Sequence, residues 1–93
     1  MPLFYLHIHY CDGLARDEEG LELPSLDAAR DEAIAGARAM MCEELKQGRV
    51  RLGCHIDIED GDERLLAVVP FREAVTFTGL EQAKSDTGIG NQR

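Results

Sequence analysis

Three potential metal ligands occupy alternate positions near the start of the chain, namely His7, His9 and Cys11. Zinc prefers imidazole nitrogen and thiolate sulfur as ligands, arranged as a tetrahedron. Alternate side chains of a β-strand share one face and lie about 7 Å apart, so two neighbouring ligands on one strand can share an ion. His55 belongs to a second strand-like segment and joins the set if the two strands are neighbours. Zinc is therefore a candidate cofactor.

These residues also have a plainer interpretation, because histidines on a half-exposed sheet are commonly surface side chains without a ligand. The Cys-x-x-Cys and His-Glu-x-x-His spacings, which identify zinc sites more specifically, are absent from the sequence. The acidic run at 57–63 does not have the spacing of a calcium loop. Cys54 alternates with two isoleucines, which predicts a core position, and Cys42 falls on a polar helix face. Because no catalytic arrangement emerges, an enzyme is the less favoured class.

The first element that positions the histidines is a predicted strand at residues 3–10, where side chains alternate between two sets. The set predicted to face the core consists of Phe4, Leu6, Ile8 and Tyr10. A polar connection containing Gly13 follows, and a short apolar segment at residues 21–23 comes after it. We expect these two strands to form a hairpin.

A helix is predicted to follow Pro24, with Ser25 as its N-cap and Asp27 at the positive end of its dipole. With roughly 100° of rotation per residue, one side of this segment is apolar. That side consists of Leu26, Ala29, Ala33, Ala37, Met40 and Met41. The helix should end at Gly48, a residue type suited to a left-handed C-terminal position. Its small inner side chains would allow close packing against a sheet.

A second hairpin is predicted around Asp60 and Gly61, a strong turn signal between two strand-like segments. A loop of two or four residues would place Leu65, Ala67 and Val69 on the same face as the isoleucines of the preceding strand. A loop of three residues would reverse that assignment. After Pro70 the chain can form a short turn of helix or another extended piece.

The element order is β-β-α-β-β, which predicts an α+β fold: a small antiparallel sheet with one long helix packed on one face. Residues 1–78 should form a single domain, and residues 79–93 should be a disordered tail because they have no apolar period. One helix can cover only one face of the sheet, so the several apolar side chains on the other face are left uncovered. We expect an interface formed by Leu3, Tyr5, Leu66 and Val68. The alternative is that these are single exposed apolar residues, which are common.

Charge and composition narrow the classes of partner. The net charge is −8, so direct nucleic-acid binding is not expected, and another copy or a protein partner is favoured. No apolar run reaches the roughly 18 residues of a membrane span. The three cysteines are an odd number and no signal peptide is recognisable, which favours reduced thiols and a cytoplasmic location. The leading prediction is a non-enzymatic, self-associating or protein-binding module, and a metal-binding protein or small metalloenzyme is the alternative.

A combination of motifs extends over roughly the first 77 residues. It combines an aromatic strand ending in His7, a turn at Asp12 and Gly13, an acidic turn ending at Gly20, and a Leu-Pro segment that enters a helix rich in Ala and Arg. Its other members here are Asp17, Glu19, Glu22, Leu23, Pro24, Leu26, Ala28, Ala29, Arg30, Glu32, Ala33, Val69, Pro70 and Phe71. The sequence resembles an uncharacterised family of small bacterial proteins with a domain of unknown function. The resemblance supports the fold and implies no reaction or ligand.

Overall fold

The structure is a computed structural model that describes residues 1–10 and 12–79 of the 93-residue chain. Its elements in chain order are β1 (Leu3–Tyr10), β2 (Gly13–Ala15), β3 (Leu21–Glu22), α1 (Leu26–Lys46), β4 (His55–Glu59), β5 (Leu65–Pro70) and a short 3₁₀ helix (Phe71–Ala74). The predicted α+β class, with one long helix and a small antiparallel sheet, is confirmed. The sheet has five strands in this part of the chain, one more than predicted.

The extra strand arises because the return arm of the first hairpin is split. The sheet order is β2-β1-β4-β5, and β3 pairs with the opposite end of β1. Ile8 lies opposite Ala15, whereas Phe4 lies opposite Leu21. Between these two pairings, residues 16–20 leave the edge of β1. We call residues 16–20 the covering loop.

Helix α1 begins and ends where the sequence predicts. The Ser25 hydroxyl accepts a hydrogen bond from the backbone N–H of Ala28 at 3.1 Å, which caps the first turn. Gly48 follows the helix with a φ of +91°, a left-handed conformation that glycine adopts without strain. Glu44 then accepts the backbone N–H of Arg51 at 3.0 Å and pairs with its guanidinium at 2.6 Å. These contacts connect the end of the helix to the segment that precedes β4.

The core lies between α1 and one face of the sheet. Its helix side is formed by Ala29, Ala33, Ala37 and Met41, all of which are buried. The sheet contributes Phe4, Cys54, Ile56, Ile58 and Val69, and Phe71 and Ala74 of the 3₁₀ helix close one side. Leu6, Ile8 and Tyr10 are partly buried against this cluster. The predicted inward set of β1 and the predicted apolar side of the helix are therefore confirmed.

The hairpin between β4 and β5 has a three-residue loop, the length that by itself would turn Leu65, Ala67 and Val69 away from the core. Asp60 N–H donates to the carbonyl of Arg64, and Glu63 N–H donates to the carbonyl of Asp60, each at 3.1 Å. A register shift follows at Ile58 and Glu59, so one extra residue of β5 enters the ladder. Ala67 and Val69 therefore face the core as predicted. The prediction for Leu65 is wrong, because it lies before the shift and is 56% exposed.

The chain after β5 forms the short 3₁₀ helix, one of the two predicted alternatives. The predicted tail at 79–93 lies outside the described residues except for Gly79. Among the residues that the structure describes, no helix is long and apolar enough to cross a membrane.

Candidate functional site

The sheet face opposite α1, which we call the outer face, carries the candidate site residues. Strand β1 presents Leu3, Tyr5, His7 and His9 on it. In the register of β1 with β4, Tyr5 lies opposite Glu59, His7 opposite Asp57, and His9 opposite His55. Strand β4 therefore places a polar column in the middle of the outer face. This column separates the apolar side chains of β1 from those of β5.

His7 is the one buried polar side chain among the described residues, at 3% exposure. Its Nδ1 accepts a hydrogen bond from the backbone N–H of Asp17 at 3.0 Å. Nδ1 therefore carries no proton, and Nε2 bears the proton and faces a carboxylate oxygen of Glu59 at 3.3 Å. Both ring nitrogens have protein partners. His7 is thus engaged in structure and is not available as a ligand in this arrangement.

The covering loop that buries His7 is organised by Asp17. One carboxylate oxygen accepts the backbone N–H of Leu6 at 3.2 Å, where the covering loop interrupts the pairing of β1. The other oxygen accepts the N–H of Gly20 at 3.0 Å and of Glu19 at 3.3 Å. Gly20 has a φ of +77°, and a Cβ atom there would lie 3.0 Å from the ring of Tyr5. The covering loop therefore needs a glycine at this position to lie against Tyr5.

A cleft of about 280 Å³ lies between the covering loop and the β4–β5 hairpin. It is lined by Tyr5, His7, Arg16, Asp17, Glu18, Glu59, Asp60, Gly61 and Glu63. Asp60 accepts hydrogen bonds from the N–H groups of Arg64 and Asp62. The bond from the backbone N–H of Arg64 has the largest effect on Asp60, and together with the bond from Asp62 it holds the pKa of Asp60 below its ordinary value against the opposing effect of burial. The cleft is acidic, and the carboxylates of Asp17 and Asp60 are already used to hold its two loops.

The other end of the polar column brings together His9, His55 and Asp57. Nε2 of His9 lies 2.8 Å from one carboxylate oxygen of Asp57, and Nε2 of His55 lies 3.4 Å from the other. The two imidazole rings stack with their centroids 4.5 Å apart and their planes inclined by 13°. All three side chains are partly exposed, and the nearest possible ligand atoms lie within 4.8 Å of one another. Within residues 1–10 and 12–79, no loop covers the place where the three groups converge.

Strand β5 presents a different kind of surface at the edge of the sheet. Within the described residues it pairs with β4 alone. Leu65, Leu66 and Val68 are exposed by 56%, 40% and 41%. The strand contains no charged residue. This edge therefore combines exposed apolar side chains with an unpaired strand backbone.

A third surface lies beside the C-terminal half of α1. A groove of about 260 Å³ there is lined by Arg38, Met41, Cys42, Leu45, Val50, Val75 and Phe77. Leu45 is 64% exposed and Phe77 is 49% exposed. Arg38 donates from Nε to the carbonyl of Ala74 at 2.7 Å, which holds one wall of the groove.

Comparison with known proteins gives a family and no activity. The model of a family described as "Domain of unknown function (DUF6894)" matches residues 3–72, well over half of the chain. The chain belongs to this family. The resemblance to a family with a domain of unknown function is thereby confirmed, and the DUF6894 region contains the long helix and all the strands that the structure describes. No curated protein and no solved structure matches the chain.

Within the DUF6894 domain, the four sequence-predicted metal ligands do not form one group. His9 and His55 come together because their strands, β1 and β4, are neighbours. His7 lies under the covering loop with other partners, and Cys11 lies outside the described residues. Asp57 was missed as a partner of the histidines, although its alternation with His55 places both side chains on one face of β4. The register in which β4 pairs with β1 could not be predicted from the sequence.

The residues predicted for an interface are also divided between two places in the DUF6894 fold. Leu66 and Val68 are exposed on β5. Leu3 is 40% exposed at the far end of β1, and the covering loop lies against Tyr5. Glu59 and Asp57 stand between the two pairs. The four side chains therefore do not form one continuous apolar patch, and β5 carries more exposed apolar side chains because Leu65 is exposed as well.

Proposed function

We propose that this protein is a non-enzymatic interaction module in which two copies pair through β5. The observation that carries the proposal is the edge formed by Leu65, Leu66 and Val68, which are exposed on an uncharged strand of six residues. Edge strands of this type attract another strand unless charge, a short length or a covering segment protects them. Strands β2 and β3, at the opposite side of the sheet, have only three and two residues, so they offer a much shorter edge for pairing with another strand.

The hydrogen-bond pattern of β5 supports pairing at its open edge. Phe71 N–H donates to the carbonyl of Cys54 at 2.9 Å, so these two residues form a hydrogen-bonded pair. Such pairs alternate along an antiparallel ladder, which makes Asp57 and Val68 a pair without mutual bonds. The backbone N–H and C=O of Val68 are therefore directed away from β4. They are the groups that a further strand would bind.

A second copy of this chain is the occupant that the edge fits best. Antiparallel pairing of identical strands about a twofold axis is self-complementary, so each strand supplies the groups that the other needs. Pro70 has no N–H and stands at the end of β5, which limits the paired length to the residues around Val68. Exposed leucines on both copies would become buried together. This interface is short, and we expect a dimer that dissociates on dilution.

The net charge and the cysteine content bear on the type of partner and on the compartment that we propose. A chain of net charge −8 repels another copy at long range, so added salt should strengthen the dimer. The same charge disfavours nucleic acid and would suit a basic protein if the partner is not a second copy. The odd number of cysteines supports a reducing compartment, and we propose the cytoplasm.

Sedimentation velocity of the full chain over a wide concentration range tests the proposal. We expect a monomer–dimer equilibrium for the wild type. Val68→Pro removes the outward N–H while leaving the bonds to β4 intact, and it should shift the chain to monomer. Val68→Thr is the matched control, because it keeps the N–H and a similar side-chain shape.

A monomeric wild type at every concentration would overturn self-association. Equal dimerisation of Val68→Pro and the wild type would show that another surface forms the dimer, and would overturn the assignment to β5. Thermal unfolding of both variants establishes that they are folded. Leu66→Lys provides a second variant, because it leaves the backbone donors in place and adds a charge to the edge.

A further inference from the structure

The geometry points to a binding site for a divalent transition-metal ion of the zinc type, formed by Nε2 of His9, Nε2 of His55 and the carboxylate of Asp57. Two imidazoles and one carboxylate are a ligand set that zinc and neighbouring first-row ions accept. A fourth position would be open to water because the three side chains leave the solvent side uncovered. The site adjoins β5, since Val68 lies opposite Asp57, but it does not rest on the proposed self-association.

Distances within the cluster lie near the edge length of a coordination polyhedron, although the stacked imidazoles must turn to direct both Nε2 atoms at one ion. Zinc bonds to nitrogen and oxygen are about 2.0–2.2 Å long, so two ligands of a tetrahedral ion lie about 3.4 Å apart. The two nitrogen–oxygen distances are 2.8 Å for His9 and 3.4 Å for His55. The widest separation of ligand atoms is at most 4.8 Å. Closing it requires rotation of the half-exposed imidazoles.

The backbone beneath the cluster is held by the sheet on both sides. His9 pairs with Leu14 of β2 and with His55 of β4, and His55 pairs in turn with Pro70 of β5. Ligands on paired strands keep their spacing better than ligands on a loop. The side chains of His9 and His55 are 36% and 38% exposed, so an ion can enter from solvent. The backbone of the site is therefore held in place before an ion binds, and the ligand side chains are accessible.

The nearby His7 provides an internal contrast that supports the choice of ligands. Its Nδ1 accepts a backbone N–H and its Nε2 faces Glu59, so both nitrogens are occupied. The Nε2 atoms of His9 and His55 face one shared carboxylate. Loss of their Nε2 protons would turn this group of two donors and one acceptor into three converging metal ligands.

Titration of chelator-treated protein with Co²⁺, followed by visible absorption, tests the site directly, and calorimetry gives the Zn²⁺ affinity. We expect one ion per chain and the intense visible bands of a tetrahedral Co²⁺ site. Losing an outer-shell partner of a metal typically costs about 10- to 100-fold in affinity, so losing a direct ligand should cost at least about 100-fold. His9→Gln, His55→Gln and Asp57→Asn should each show that loss.

Two matched controls make the assignment specific. Glu59→Gln alters the carboxylate beside His7, and Cys11→Ser removes the thiol nearest in sequence to His9. Both should bind Zn²⁺ as the wild type does. Zn²⁺ should also raise the melting temperature of the wild type and leave that of His55→Gln unchanged, because only the native state has the site.

Three results would overturn the inference. The first is binding of no Zn²⁺ by the wild type, and the second is equal binding by His55→Gln and the wild type. The third is a loss of affinity in Cys11→Ser as large as in His9→Gln, which would replace the proposed ligand set. Leu66→Lys, which changes an edge residue that does not lie opposite a proposed ligand, should bind one Zn²⁺ per chain, so failure of the dimer and failure of the metal site can be distinguished.

Discussion

Two histidines on the same face of β1, only two residues apart, have different surroundings. His7 is 3% exposed, and the partners of its two ring nitrogens come from the covering loop and from β4. The side chain of His9 is 36% exposed, and its partners come from β4 alone. Both residues are histidines, and both side chains lie on the outer face of the same strand. The difference comes from the covering loop, which reaches one end of the outer face and leaves the other open.

The comparison shows how one segment divides a sheet face between structure and possible binding. The covering loop has five residues opposite three residues of β1, so its extra length folds over Tyr5 and His7. Asp17 then satisfies the N–H of Leu6 that the interrupted pairing would leave exposed. At the open end, His9, His55 and Asp57 satisfy one another and face solvent. Stability should therefore depend on the covered end and ligand binding on the open end.

Replacing each histidine by alanine should give the largest difference between the two ends. His7→Ala removes a buried ring and leaves the Asp17 N–H without its acceptor. We expect it to lower the free energy of unfolding by about 2–4 kcal/mol. His9→Ala changes a partly exposed side chain and should alter it by less than about 0.5 kcal/mol. Urea unfolding of metal-free protein, followed by circular dichroism, measures both.

Asp17→Ala serves as an independent check on the covered end. It removes three N–H acceptor contacts and should destabilise the protein as His7→Ala does, since both mutations release the same loop. Equal effects of His7→Ala and His9→Ala would contradict the contrast drawn between the two ends. A mild effect of Asp17→Ala beside a severe effect of His7→Ala would assign the stability to the ring alone.

Much of the secondary structure around these sites was predictable from local sequence. Ser25 and Gly48 marked the limits of the helix, and the alternation in β1 and β4 identified their inward faces. The covering loop was not predictable, because its path depends on a shift of pairing between Ile8 and Phe4 that no short-range pattern encodes. For the same reason, the burial of His7 and the role of Asp57 could not be seen. Both depend on which residues lie opposite each other in a finished sheet.

The β4–β5 hairpin loop, which lines the cleft beside His7, contains the clearest local strain at the covered end. Glu63 has a φ of +65°, whereas Gly61 does not adopt a left-handed conformation. A left-handed conformation costs a residue with a Cβ about 1 kcal/mol or more relative to glycine. Glu63→Gly should therefore stabilise the protein by about 1 kcal/mol, less the entropy that glycine adds to the unfolded chain. A rise in melting temperature checks this.

Gly61→Ala is the matched control in the same loop. A Cβ atom at Gly61 would meet no atom within 4 Å, so this change should leave stability unchanged or raise it slightly. A decrease in stability on Glu63→Gly would show that the side chain of Glu63 contributes more than its backbone strain costs. Metal affinity at the open end should not respond to either change.

The smallest effect concerns the pH dependence of this same loop. Hydrogen bonds from the backbone N–H groups of Arg64 and Asp62 lower the pKa of Asp60 in the folded state. A lowered folded pKa contributes stability that is fully present above the unfolded value of about 3.9 and is lost as pH falls through the folded value. Asp60→Asn should therefore be less stable than the wild type at neutral pH, and the difference should narrow in acid. Urea unfolding of both proteins at a series of pH values between neutrality and the acid limit measures this. A difference that stays constant over that range would mean that the Asp60 carboxylate gains nothing from the loop, and that the covered end is held by Asp17 and His7 without it.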